Sequence, residues 1–147
     1  MARSYASTVI NASPDDVWAR IRDFNALPHW AGPAIEKSEL EGGLAGDQVG
    51  VVPQLTLGGD VSIRERLLSH SDHERSYAYN FEATPFDVDN YHAVLRVTPV
   101  TDGGGSFVEW WTTFDCNRDE QEHWTSFFAN EVFQGGFDSL KAHFGNG

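Results

Sequence analysis

At 147 residues the chain is long enough for one domain with a real core, and 40% hydrophobic with 13% aromatic content excludes disorder by composition. A formal net charge of −12, from 22 acidic against 10 basic residues with no run of Lys or Arg, repels phosphate backbones and anionic lipid headgroups. Nucleic acid is therefore not expected as a partner. No apolar run approaches membrane-spanning length, so no membrane insertion is expected either.

Residues 5–11 read as a first strand. Ser13-Pro14-Asp15-Asp16 then announces a helix: a capping hydroxyl, a proline at the first helical position, and two acids at the positive end. Val17, Trp18, Ile21 and Phe24 recur at helical spacing, so this helix buries one face. Ala26-Leu27-Pro28-His29-Trp30 breaks it and begins a second short segment, which Pro33 closes.

From 34 to 115 the pattern changes to strands and turns. Turn clusters sit at Glu41-Gly42-Gly43, Leu57-Gly58-Gly59-Asp60, Ser69-His70-Ser71-Asp72, Thr84-Pro85 with Phe86-Asp87, and Thr101-Asp102 with Gly103 to Gly105. The runs between them leave no room for crossover helices, which favours an antiparallel meander. Residues 119–144 form the one long helical candidate, with Trp124, Phe127, Phe128, Glu131, Phe133, Phe137, Leu140 and Phe144 at steps that include threes and fours. Lys141 and His143 suit its negative end, and Gly145 stops it. The expected fold class is α+β: a strand, two short helices, six strands and a long helix, each layer covering the apolar face of the other. No linker or repeat divides the chain, so 1–147 is taken as a single domain.

Cys116 is the only cysteine, which permits neither an internal disulfide nor a cysteine-built metal site. With no apolar signal core between Arg3 and Asp15, the expected location is the cytoplasm.

These elements, in this order, resemble the polyketide cyclase/dehydrase group of the START-related helix-grip (SRPBCC) superfamily. The resemblance begins with Ala12-Ser13-Pro14-Asp15-Asp16-Val17-Trp18 and continues through Asp23-Phe24 and Leu27-Pro28-His29-Trp30. It is clearest in Tyr77-Ala78-Tyr79, Asn90-Tyr91, Val97-Thr98-Pro99-Val100, and Val108-Glu109-Trp110 with Phe114 four residues on. Gly136-Phe137-Asp138-Ser139-Leu140-Lys141 completes it. The resemblance implies a helix-grip fold, a curved antiparallel sheet of about seven strands around the C-terminal helix, with an apolar ligand cavity between them. The superfamily spans cyclases, alkaloid-forming enzymes, lipid carriers, hormone receptors and co-chaperones, so fold does not choose the chemistry.

Glu65 is the polar residue to single out. Alternation puts Val61, Ile63, Glu65 and Leu67 on one strand face, opposite Ser62, Arg64 and Arg66. A carboxyl there has a raised pKa unless it is paired, which is the profile of a general acid or base. The plain alternative is a rim position or an arginine partner. Tyr79 shares a face with Tyr77 and Phe81, and Tyr91 with Ala93, Leu95 and Val97. Each hydroxyl needs a partner, which could be a ligand or backbone.

By resemblance, the face carrying Val108, Trp110, Thr112 and Phe114 looks into the cavity. Trp111 is then a large outward ring and a candidate homodimer contact. With the faces inverted, Glu109 becomes the buried acid, and alternation alone does not decide. The resemblance also puts Trp30 and His29 at the small end of the cavity. Gly135-Gly136 inside the long helix costs about 1 kcal/mol each against Ala, so a compensating close approach or a kink is expected. His70, Asp72 and His73 share a turn too short for a closed metal site, so no metal is expected, and no cofactor fingerprint is present.

The expected function is binding of a hydrophobic, polycyclic or acyl-like small molecule, as carrier or sensor. Trp18, Trp30, Glu65, Tyr79, Tyr91, Trp110, Thr112, Phe133 and Phe137 are the candidate ligand contacts. The second possibility is a cyclase or dehydratase with Glu65 and Tyr79 moving protons. The third is an interaction module with a filled pocket, presenting Trp111 and Phe86 outward.

Overall fold

The Ser13 hydroxyl accepts the Asp16 amide at 3.1 Å, and Pro14 opens helix α1 (Pro14–Ile21) immediately after it. Val17, Trp18 and Ile21 are the buried face, with Phe24 buried just beyond. The sequence chemistry thus builds the helix it announces. The computed structural model describes residues 1–32, 35–59 and 61–145. Pro33, expected to close the second short helix, and Asp60, in one expected turn, lie outside them.

In chain order the elements are β1 (Ala2–Ile10), α1, α2 (Leu27–Trp30), β2 (Ile35–Glu41), β3 (Val52–Leu57), β4 (Ser62–Ser71), β5 (Ser76–Ala83), β6 (Asp89–Pro99) and β7 (Ser106–Asp115). A turn of 3₁₀ helix (Arg118–Glu120) then leads into α3 (Gln121–Ser126), a π-helical segment (Phe127–Phe133) and α4 (Gln134–His143). The strands form one antiparallel sheet in the order β1-β7-β6-β5-β4-β3-β2. This is the helix-grip arrangement, and the expected α+β order is the observed one.

Burial along β7 alternates strictly: Val108, Trp110, Thr112 and Phe114 face the helix, and Glu109 and Trp111 face out. The strand phase left open by the sequence is therefore settled, and Glu109 is not the buried acid; it accepts the Tyr5 hydroxyl at 2.7 Å on the outer face. Trp111 is half-buried rather than a free ring, because Tyr5 on the neighbouring strand stacks on it at 6.5 Å. Val61 also departs from expectation. It precedes the first residue of β4 and is 41% exposed, while Ile63, Glu65 and Leu67 are buried.

The long helix covers the inner face with Phe128, Phe133, Phe137 and Leu140, each at most 1% exposed. Burying such a side chain contributes about 1.5–3 kcal/mol. The unexpected feature is the π segment, where i→i+5 bonding widens the turn, a geometry that recurs at functional sites. Gly136 follows it, and a Cβ there would lie 2.8 Å from Cζ3 of Trp110. That close approach accounts for one of the two helix glycines. Gly135 has open space around it, and no packing reason accounts for it.

Candidate ligand cavity

A cavity of about 240 Å³ lies between the sheet and the π segment. Strands β3 and β4 supply Leu55, Leu57, Ile63 and Glu65; β5, β6 and β7 supply Tyr79, Phe81, Tyr91 and Trp110. The helical side is Phe127, Phe128, Glu131 and Val132, and Leu27, Ala31, Ile35 and Phe86 complete the wall. The lining is mainly apolar, and an apolar cavity of about 150 Å³ already holds benzene.

Glu65 is its polar feature. The residue is 6% exposed, and its Oε1 is buried with no hydrogen-bond partner among the described residues. Burial pushes the carboxyl up to about 8, with no compensating charge among the described residues. The flanking arginines do not help: Arg64 donates to Glu41 and Arg66 to Glu82, both on the opposite face of β4. A β-bulge between Arg64 and Glu65 interrupts the β4–β5 register at this point. Bulges commonly re-aim a side chain beside a site.

The tyrosines form a ladder along β5 and β6. Trp110 donates its indole N–H to the Tyr79 hydroxyl at 3.0 Å. Tyr91 lies against the Tyr79 and Thr112 hydroxyls and stacks on Phe81 with ring centroids 3.8 Å apart. Burial drives the pKa of Tyr77, Tyr79 and Tyr91 upward, so all three stay protonated through the neutral range. The Tyr77 hydroxyl is a second buried group without a partner among the described residues, and it lies within the electrostatic reach of Glu65.

Four of the residues singled out from sequence line the cavity: Glu65, Tyr79, Tyr91 and Trp110. Five do not. Trp18 packs on His70 and Tyr77, and its N–H donates to Asp72 at 2.8 Å. Trp30 lies behind Trp110 at 5.5 Å and Phe133 stacks on that ring at 4.6 Å, with Phe137 at 6.1 Å. These three rings back the wall rather than form it. Thr112 turns its hydroxyl to the His92 carbonyl at 3.0 Å.

Phe86, expected outward in the interaction-module reading, is half-buried against Phe81, Trp124 and Phe127. His29 is exposed, and Asp72 is held by Arg22 and Trp18, which bring its carboxyl down to about 2. No group of three metal-ligating side chains occurs among the described residues.

The lining residues that sequence reasoning missed come from both layers: Leu55, Leu57, Ile63 and Phe81 on the sheet, Leu27 on α2, and Phe127, Phe128, Glu131 and Val132 on the π segment. Phe127, Phe128 and Glu131 were visible as a helical stripe, but the cavity's position along that stripe was not.

A family model described as polyketide cyclase / dehydrase and lipid transport matches residues 1–145. The chain belongs to this family. Among solved structures, it is similar to the protein XoxI from Bacillus cereus, at 33% identity over 98% of this chain and 96% of that one, with a TM-score of 0.86. A Thermobifida fusca protein solved by NMR is 28% identical over 99% of this chain and 94% of its own, with a TM-score of 0.89. A more distant likeness in fold is to Thalictrum norcoclaurine synthase in complex with a transition-state analogue, at 16% identity, covering 97% of this chain and 92% of that one, with a TM-score of 0.73. No curated protein matches in sequence. In this member of the polyketide cyclase/dehydrase family the inner cavity is about 240 Å³, ring-lined, and marked by a buried acid whose Oε1 has no partner among the described residues.

Proposed function

We propose that the chain is a single ligand-binding domain that takes up one small hydrophobic molecule in this cavity, as a carrier or sensor. The observation that carries the reading is an apolar cavity with one unpartnered carboxyl in its wall. Ligand sites combine apolar walls with a few polar groups that fix orientation. A volume of about 240 Å³ suits one or two fused rings or a short chain, smaller than the polycyclic or long acyl compounds the resemblance first suggests. Membrane lipids with two chains do not fit it. Native mass spectrometry of freshly purified protein, with tryptophan fluorescence titrations of naphthalene-sized compounds, tests the reading. Binding with one-to-one stoichiometry supports it; failure of every compound of that size overturns it.

The second reading is an enzyme of the cyclase or dehydratase kind. A carboxyl poised near pH 8 beside the Tyr79 and Tyr91 hydroxyls favours it, since proton transfer works best with a pKa near the working pH. Glu65→Gln then keeps ligand binding and loses roughly 10²–10⁴-fold in rate.

The lone Cys116 fits a cytoplasmic setting, and no described helix is long and apolar enough to cross a membrane. Pairing of two copies through the outer face of β1 and β7 rests on Tyr5 and Val9, which are 39% and 57% exposed. Light scattering of the purified protein decides that point.

A further inference from the structure

We infer that the ligand of this cavity is a small hydrophobic amine, held with its ammonium group against the Glu65 carboxylate and enclosed by the rings of Tyr79, Tyr91 and Trp110. This rests on the reading of the cavity as a ligand site and names the chemistry of what enters it.

The first support is the charge census. Among the described residues, Glu65 and Glu131 are the acidic side chains lining the cavity, and none of the lining is Lys, Arg or His. Outside the mouth, Asp119, Glu122 and Glu131 border an open groove with His123, and Phe86 and Phe127 belong to both groove and cavity. Nearby cations are engaged elsewhere: Arg64 with Glu41 and Arg66 with Glu82. With a net charge of −12 overall, the approach attracts cations and repels anions. A fatty acid or other carboxylate would have to pass Glu131 and end beside Glu65, with no positive group to meet it.

The second support is the unpaired oxygen. Glu65 Oε1 is buried, and no described residue satisfies that oxygen. A ligand ammonium donates up to three hydrogen bonds and supplies the missing charge. The third is the wall: aromatic faces stabilise a desolvated cation, each by a modest amount that grows as water is excluded. An acid set among tyrosines and a tryptophan is a setting for a cation more than for a neutral acceptor.

The pairing has a proton signature. The titratable groups facing Glu65 are Tyr77 and Tyr79 from β5, Tyr91 from β6 and Glu131 from the π segment. The tyrosines stay protonated, and Glu131 lies exposed at the mouth. At pH 7 the free protein holds its proton on Glu65, whose pKa is about 8, while the amine arrives as ammonium. Binding forms the ammonium–carboxylate pair and releases the Glu65 proton to solvent. Affinity therefore rises with pH up to about 8, then falls once the amine itself loses its proton. A neutral ligand that accepts a hydrogen bond from protonated Glu65 gives the reverse trend and releases nothing.

The test uses naphthylmethylamine, naphthylmethanol and naphthoate, which share one skeleton and differ in charge. Calorimetry of each with the full chain, in two buffers of different ionisation enthalpy at pH 7, reads affinity and proton release together. The expected result is nearly one proton released per amine bound and a preference for amine over alcohol of roughly 10–100-fold at pH 8. Naphthoate should bind weakest. Glu65→Gln should erase the preference for amine while the alcohol still binds. Alcohol binding as tightly as amine, or amine binding without proton release, overturns the amine assignment and leaves cavity binding intact. Binding by none of the three overturns both.

Discussion

The Trp110 indole N–H donates to the Tyr79 hydroxyl across 3.0 Å, wholly inside the protein. The bond fixes the hydroxyl as an acceptor on one side and leaves its own proton for another partner, such as Tyr91 or a ligand. It also locks the indole plane that forms part of the cavity wall, behind which Trp30 and Phe133 are packed.

Tyr79→Phe should therefore destabilise the protein by about 1–3 kcal/mol, because the buried Trp110 N–H is left without an acceptor. Urea unfolding followed by tryptophan fluorescence measures this, with the m-value unchanged. An unaltered midpoint would mean that the hydrogen bond contributes nothing to stability.

Local chemistry made much of this architecture readable in advance. Ser13-Pro14-Asp15-Asp16 determines a helix start with its own side chains, and the period-two pattern around Glu65 places a carboxyl on an apolar face. Two features had no such signal. The π segment depends on i→i+5 bonds that leave no distinct period in the sequence, so the cavity was expected against Phe133 and Phe137 instead of Phe127, Phe128, Glu131 and Val132. Leu27 and Ala31 belong to the wall of a cavity that the far end of the chain completes, for α2 packs against α4, a long-range contact that no local pattern encodes. The partner of Trp111 was hidden for the same reason, since Tyr5 reaches it from a strand far away in sequence.

The two helix glycines should respond in opposite senses to alanine. At Gly136 the new methyl meets the Trp110 ring at 2.8 Å, so overpacking of about 1–3 kcal/mol outweighs the gain in helix propensity. At Gly135 the space is open, and alanine should stabilise by about 0.5–1 kcal/mol. Thermal melts of the two single variants read the signs directly. A stabilising Gly136→Ala would show that Trp110 can retreat, in which case its wall is softer than its packing implies.

Filling the cavity should separate stability from binding. Leu55 is 2% exposed and faces the open volume, so Leu55→Phe places a ring where a ligand ring would sit. Cavity-filling changes commonly add about 0.5–2 kcal/mol. The variant should melt higher than the parent and bind naphthalene-sized compounds at least tenfold more weakly. Retained affinity at higher stability would mean that the ligand occupies another surface.

The pH dependence of stability isolates Glu65. Its pKa rises from an ordinary 4.5 to about 8 on folding, so between these values the folded protein holds a proton that the unfolded chain has lost. Its stability contribution is complete below pH 4.5 and declines as pH rises, by up to about 1.4 kcal/mol per pH unit, until it levels above pH 8. Asp72 works in the opposite sense, since Arg22 and Trp18 hold its carboxyl near 2; its contribution is lost only as pH falls below the ordinary carboxylate range. The two effects therefore occupy different windows. Glu65→Gln removes the first and leaves the second. The variant should match the parent within about 1 kcal/mol at pH 5 and exceed it by several kcal/mol at pH 9. Urea unfolding of both proteins across that range gives the difference, in which shared titrations cancel. A constant gap from pH 5 to pH 9 would mean that the carboxyl ionises as freely in the fold as in the unfolded chain, and Glu65 would then have to reach solvent.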